Sequence, residues 1–377
     1  MLYSVVLAIL LLFSLLENKK YVGRNMYAIV CFLILVVISA CRFQNDSSSD
    51  FMRNYRQVIK TAYFSWKWIL LQSEPIAWIL KKTVIDVFGD PICFTAIISV
   101  FFLWVNFRFA RKYAYDISLF VIMFFTVHNY FSVHNVIVQS LSMGFILLAF
   151  DYLIDRKPIG FAALCTLGVL SHTAAFVFVP FYFLAKVKFT KKTLYVYLAI
   201  AFFCVLNIGD FFSVVQKYAY GNYSFSEGYG SGGANSLRLV LALCSAVLLI
   251  IFLYSIEIKD VQRMNANCGG KYRFNSKQDE MINNCIAHGT LIYTICIILT
   301  VTTNLLFSRV SMFFSPFVIL CADRGLRNTR NSRTRFIIYL GLLAFCIAWF
   351  IAMNSGGHYT PTPYTPFWEF PERLKRI

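Results

Sequence analysis

The sequence predicts an all-α, polytopic integral membrane helix bundle of about 12 helical segments, on three observations. The chain of 377 residues is 59% hydrophobic, with a mean hydropathy of +0.64 and only 14% charged residues. Its apolar residues fall into separate runs, several of them near the roughly 20 residues that a helix needs to cross a ~30 Å hydrocarbon core. The basic residues collect in short segments between those runs, the usual signature of loops retained on the cytoplasmic side. No Pro/Gly/Ser-rich linker divides the chain. Residues 1–377 are therefore expected to form a single transmembrane domain.

The first run, 1–16, has no basic flank before it and no small-residue cleavage pattern after it, so it is read as a retained helix rather than a signal peptide. The second covers 26–41. Residues 42–91 form a long outer segment that opens with the polar turn Gln44-Asn45-Asp46-Ser47-Ser48-Ser49-Asp50. An amphipathic stretch with Tyr55, Tyr63, Phe64, Trp66, Trp68 and Trp78 follows. Because Trp and Tyr settle at headgroup level, this segment is expected to lie along the outer interface. Spans at 92–107, 117–133 and 136–154 come next.

The 26-residue run Ile159–Leu184 is apolar, but Ser171-His172-Thr173 interrupts its centre. Arg156 and Lys157 precede it, and Lys186, Lys188, Lys191 and Lys192 follow. Basic flanks at both ends predict a hairpin that enters and returns, with limbs 159–170 and 174–184. Each limb is only about 18 Å of helix, so the limbs are short or tilted. Spans at 194–213, 237–257, 286–306, 308–322 and 336–353 complete the chain. The outer loop 214–236 holds a glycine run at 228–233, but without the strand-then-helix setting of a phosphate cradle it reads as a flexible connection.

With the hairpin, both termini face out and 22 of the 35 Lys and Arg lie inside. Seven of the other 13 fall in the long segment 42–91, and long translocated loops weigh little in this rule. A single crossing through 159–184 would put 14 of the Lys and Arg beyond Leu184 outside and 6 inside, which the same rule disfavours.

The net charge of +17 does not indicate nucleic-acid binding, since no folded basic domain stands apart from the membrane runs. Arg324, Arg327, Arg330, Arg333 and Arg335 lie between two such runs, where anchoring to anionic lipid accounts for them. The eleven Cys show no CxxC or Cys/His ligand spacing and lie mostly in apolar runs, as packing residues do.

On this topology a set of polar residues shares the outer side. Arg42 ends the second span, Asn135 and Gln139 open the fifth, His172 sits at the hairpin turn, and Arg309 lies between the tenth and eleventh spans. Arginine suits phosphate because its planar fork donates two parallel hydrogen bonds and keeps its charge. Arg42 and Arg309 are therefore candidates for holding a pyrophosphate, with snorkelling to the interface as the alternative. His172 is a candidate general base, since an imidazole can accept and return a proton, or else a structural residue of a broken helix. Asp46 and Asp50 are candidates for deprotonating a hydroxyl or binding a divalent ion, or else turn residues. Arg53 is placed to orient Asp50. His128, His134, His288 and His358 show no partner pattern.

Four motifs then occur in order: Ser39-Ala40-Cys41-Arg42-Phe43 followed by Asp50-Phe51-Met52-Arg53-Asn54-Tyr55; Glu74-Pro75; Leu170-Ser171-His172-Thr173-Ala174; and Phe307-Ser308-Arg309-Val310. In this the chain resembles, over nearly its full length, the EpsG-like family of bacterial exopolysaccharide and O-antigen polymerases, the Wzy type. It departs from that family at Val138-Gln139, where an Arg-Gln pair is common, and in lacking the Gly of the first outer loop. The resemblance implies a multi-pass enzyme of the bacterial inner membrane with a periplasmic active face. It would join undecaprenyl-pyrophosphate-linked oligosaccharide repeats, donor to acceptor, with no cofactor or metal required. His172 or Asp50 would take the acceptor proton, and Arg42 and Arg309 would hold the pyrophosphate, with Arg53, Gln139 and Asn135 as further contacts. A chain-length regulator and a flippase are the protein partners implied. Two other classes share these features: a lipid-linked single-sugar glycosyltransferase, which EDTA would inhibit if the aspartates hold a metal, and a transporter or flippase, which would lack catalysis.

Overall fold

The computed structural model describes residues 2–44, 49–127, 129–207, 232–257, 274–302, 306–355 and 364–369. Asp46, His128, His358 and most of the loop 214–236 lie outside the described residues. The chain is an all-α polytopic membrane protein. Among the described residues, six helices are long and apolar enough to cross a membrane.

In chain order the helices are α1 (Leu2–Asn18), α2 (Arg24–Ala40), α3 (Asp50–Thr61), α4 (Trp66–Leu70), α5 (Pro75–Phe88), α6 (Ile92–Tyr113), α7 (Ile117–Thr126), α8 (Asn129–Asn135), α9 (Ile137–Ile154) and α10 (Pro158–Ser171). After a 3₁₀ segment at Thr173–Phe178 come α11 (Phe181–Leu184), α12 (Lys191–Leu206), α13 (Gly232–Glu257), α14 (Ser276–Thr302), α15 (Leu306–Met312), α16 (Ser315–Asn328) and α17 (Ser332–Ser355). Two-residue strands β1 (Arg42–Phe43) and β2 (Thr365–Pro366) pair antiparallel, with Arg42 opposite Pro366.

The chain divides into two compact units, Met1–Phe176 with Arg330–Ile377, and Val177–Thr329. In the first, α9 packs between α6 and α10, α6 also packs on α2, and α7 meets α1 and α17. Gly144 lets α9 approach α6 closely, because a Cβ there would come within 2.4 Å of the Phe101 ring. In the second, α13 and α14 pack on one another and both pack on α16.

The structure refines several predicted spans. The span at 117–133 corresponds to Ile117–Asn135, one of the six candidate spans, which carries α7 and α8. The span at 308–322 breaks at Phe313–Phe314, and Pro316 opens α16, where a missing N–H costs nothing. Helix α14 begins ten residues before the predicted apolar run, because its first turns are polar but helix-forming. The predicted break at 171–173 is present: α10 ends at Ser171, and His172 is extended with φ −156° and ψ 121°. The second limb is not a regular α-helix but a 3₁₀ segment and the single turn α11, which Pro180 precedes.

The segment 42–91 holds three helices. Trp66, Trp68 and Tyr63 are exposed, whereas Tyr55 is buried against Phe43 and Phe51 and belongs to the core. The Arg cluster after α16 also divides. Arg327, Arg330, Arg333 and Arg335 are exposed, but Arg324 is buried, with Nη1 donating to Asp279 at 2.9 Å and to Asn283 at 2.6 Å. It is an internal ion pair rather than a lipid anchor, because α14 extends far enough to bring a carboxylate beside it.

Candidate active site

The break at His172 is held by a carboxylate distant in sequence. Ser-Glu-Pro at 73–75 starts α5, with Pro75 in its first turn and Glu74 at the cap position. The Glu74 side chain does not cap its own helix. Instead its Oε1 lies 2.5 Å from His172 Nδ1 and accepts the Thr173 N–H at 3.2 Å. The same carboxylate thus satisfies a backbone donor freed by the helix break and orients the imidazole. Burial raises the Glu74 carboxyl, but the hydrogen bond and charge of His172, the Thr173 N–H and the Lys81 charge outweigh it and bring it below the ordinary carboxylate value. With Nδ1–H directed at a carboxylate, Nε2 is left to accept a proton.

Lys81 lies about two turns further along α5, on the same face. It is buried, donates to Gln57 at 2.6 Å and sits over the Trp78 ring at 4.7 Å. Burial pushes it down to about 8, opposed by the charges of Asp50 and Glu74. Asp50 begins α3, where Ser49 accepts the Met52 N–H as N-cap. Its Oδ2 accepts the Ile137 N–H at 3.1 Å, so the carboxylate rests on the N-terminus of α9, where the helix dipole favours negative charge. Arg53 is exposed on α3. Asn135 is half-buried at the end of α8, and Gln139 is buried in the first turn of α9. Asp50 is therefore brought to the helix start that carries Gln139.

Arg42 is 2% exposed in β1. Nη2 donates to the Gln44 amide oxygen at 3.0 Å, while Nε and Nη1 are buried with no hydrogen-bond partner. Leaving a buried donor unsatisfied costs about 1–3 kcal/mol, and more when it is charged. The guanidinium is in electrostatic contact with Tyr3, Tyr130 and Tyr364. The strand pairing keeps the segment Tyr364–Glu369 against it, with the Phe367 N–H on the Cys41 carbonyl at 2.9 Å and the Thr365 hydroxyl on the Phe43 carbonyl at 2.8 Å.

All of these residues belong to the first unit. Arg309 belongs to the second, half-buried on α15 beside Phe307, which packs with Cys296 and Leu299. Sequence reasoning gave no role to Glu74, Lys81 or His134. Glu74-Pro75 was visible as a motif, but a helix-start glutamate is common, and nothing local joins it to a histidine 98 residues away. His288, also unassigned, bridges Tyr197 at 3.0 Å and the Val187 carbonyl at 2.8 Å in the second unit.

A family model described as the EpsG family matches residues 25–366. The EPS I polysaccharide export inner membrane protein EpsF of Ralstonia nicotianae is 30% identical over 108 residues, which is 28% of this chain. The match spans only a quarter of that relative's length. No solved structure matches.

Proposed function

The chain belongs to the EpsG family, and from that premise we propose that it polymerises undecaprenyl-pyrophosphate-linked oligosaccharide repeats on the periplasmic face of the bacterial inner membrane. A role in membrane polysaccharide biosynthesis follows from the family and from the resemblance to a polysaccharide export protein. The observation that carries the finer reading is the Glu74–His172 pair at the helix break, in the same unit as a buried arginine with unsatisfied donors.

In the proposed reaction a hydroxyl of the acceptor glycan attacks the anomeric carbon of the donor. The bond from that carbon to the pyrophosphate oxygen breaks, and undecaprenyl pyrophosphate leaves with the bonding electrons. His172 Nε2 takes the hydroxyl proton, and the imidazolium so formed is stabilised by Glu74, a positioning residue. His172 is preferred to Asp50 as base because the Asp50 carboxylate rests on the Ile137 N–H and fixes the start of α9. Arg42 would neutralise charge developing on the leaving pyrophosphate, and Arg309, in the second unit, is proposed by itself as a phosphate contact. Gln139, Asn135 and Arg53 are proposed sugar or phosphate contacts. The exposed rings of Trp66 and Trp68 suit lipid and glycan support at the interface.

The test is the polymer profile of a deletion strain complemented with variants. Loss of function is expected to leave single repeats on lipid. Arg309→Lys keeps the charge but loses the fork, so unchanged chain length in that strain would remove Arg309 from pyrophosphate binding. Loss of long chains only on addition of EDTA would favour a metal-dependent glycosyltransferase instead.

A further inference from the structure

We propose that Tyr3, Arg42 and His134 form one closed binding site for a phosphate group, with Tyr364 as its wall; that the phosphate belongs to a lipid-linked pyrophosphate rests on the function proposed above. The three residues come from separate stretches of chain, α1, β1 and α8, and are 2–4% exposed. Each has a buried polar atom with no partner: the Tyr3 hydroxyl, Arg42 Nε and Nη1, and His134 Nε2. Chance packing leaves one such atom here and there, since buried polar groups are nearly always bonded. Here Arg42 joins the set, in electrostatic contact with both Tyr3 and His134. Tyr3 meets the Phe131 ring edge-on at 5.2 Å, and Phe131 lies 6.4 Å and Tyr130 5.6 Å from the His134 ring.

The chemistry of the set identifies the ligand class. A tyrosine O–H, two guanidinium N–H groups and an imidazole Nε2–H, in the tautomer protonated there, are all donors around a permanent positive charge. A sugar presents donors as well as acceptors, and a lipid tail presents neither. A phosphate oxyanion accepts from every one of these groups. Tyr364 packs edge-on against Tyr3 at 6.1 Å, and the β1–β2 pairing holds it there, so the C-terminal segment supplies the fourth side.

Cys41, half-buried and adjacent to Arg42, reports occupancy in the full chain without altering the site. Its alkylation rate would be followed by peptide-resolved mass spectrometry in nanodiscs of zwitterionic lipid, with inorganic phosphate, inorganic pyrophosphate or farnesyl pyrophosphate added. Pyrophosphate is expected to slow alkylation at least fivefold. Tyr3→Phe, which removes one oxygen, and His134→Leu are each expected to raise the half-protecting concentration about tenfold, the loss of one hydrogen bond to a charged partner. No protection, or protection insensitive to both substitutions, overturns the site. Protection by anionic nanodisc lipid alone supports the site but makes its source a lipid headgroup. Pyrophosphate protection that depends on both residues in a protein that makes no polymer keeps the site and discards the polymerase. Polymerisation that requires Arg42 but neither Tyr3 nor His134 does the reverse.

Discussion

Arg42 and Arg324 are both 2% exposed, yet their surroundings are opposite. Arg324 spends its Nη1 on the Asp279 carboxylate and the Asn283 amide. The same pattern recurs at Asp151, which faces Arg108, Lys112 and the Tyr113 hydroxyl. Arg42 meets a neutral amide and three tyrosines, and keeps two donors without partners. A buried arginine set against a carboxylate is neutralised within the chain and serves the fold, whereas Arg42 has no carboxylate beside it among the described residues and, on the proposal above, takes its anion from a ligand. The Glu74–His172 pair lies between these cases: complete on the Nδ1 side, open on the other.

The largest effect is expected at that pair. His172→Ala should lower polymer formation by about 10²-fold or more, the usual contribution of a general base, while Glu74→Gln should lower it about tenfold and move the pH profile. Equal and total loss in both, with no protein in the membrane, would mark the pair as structural instead. The two arginines separate next. Arg324→Met should destabilise by about 3–5 kcal/mol by leaving Asp279 buried and unpaired. Arg42→Met should leave thermal unfolding unchanged or improved while polymer is lost. The reverse ranking of stabilities would remove the contrast.

A smaller effect concerns pH. Lys81 is pushed down to about 8, so between pH 8 and its ordinary value near 10.4 the unfolded chain binds the proton that the folded chain has lost. Stability should therefore rise with pH across that window relative to Lys81→Met. Glu74, held below its ordinary value, adds stability above the usual carboxylate range that is lost as pH falls through its depressed value. Thermal unfolding of both proteins from pH 7 to 10 checks the first statement; parallel curves would contradict it. The smallest expected change is Asp50→Asn, which weakens the charge on the α9 N-terminus by about 0.3–1 kcal/mol and should spare most polymerisation.

The all-α membrane fold, the break at Ser171-His172-Thr173 and the family were all legible in the sequence. They rest on hydropathy, basic flanks and ordered motifs, all local or composition-wide signals. What escaped was pairing across long stretches. Glu74 reaches His172, Asp50 reaches Ile137, and Tyr364 returns to Tyr3, each fixed by packing that no periodicity reports. Hydropathy also reads charge as exposure, which misplaced Arg324 among lipid anchors. The predicted span at 308–322 failed at 313 for a related reason: an apolar run stays continuous through a turn when both sides are buried. The polar character of His134 was visible, but its role depended on neighbours from α1 and β1.

The most direct measurement gives purified protein a lipid-pyrophosphate-linked repeat and follows glycan length and released lipid pyrophosphate together. Products longer than one repeat, one lipid pyrophosphate released per linkage, and loss of both in His172→Ala are predicted. Unchanged repeats from active wild-type preparations, or polymer formed equally well by His172→Ala, would contradict the polymerase reading.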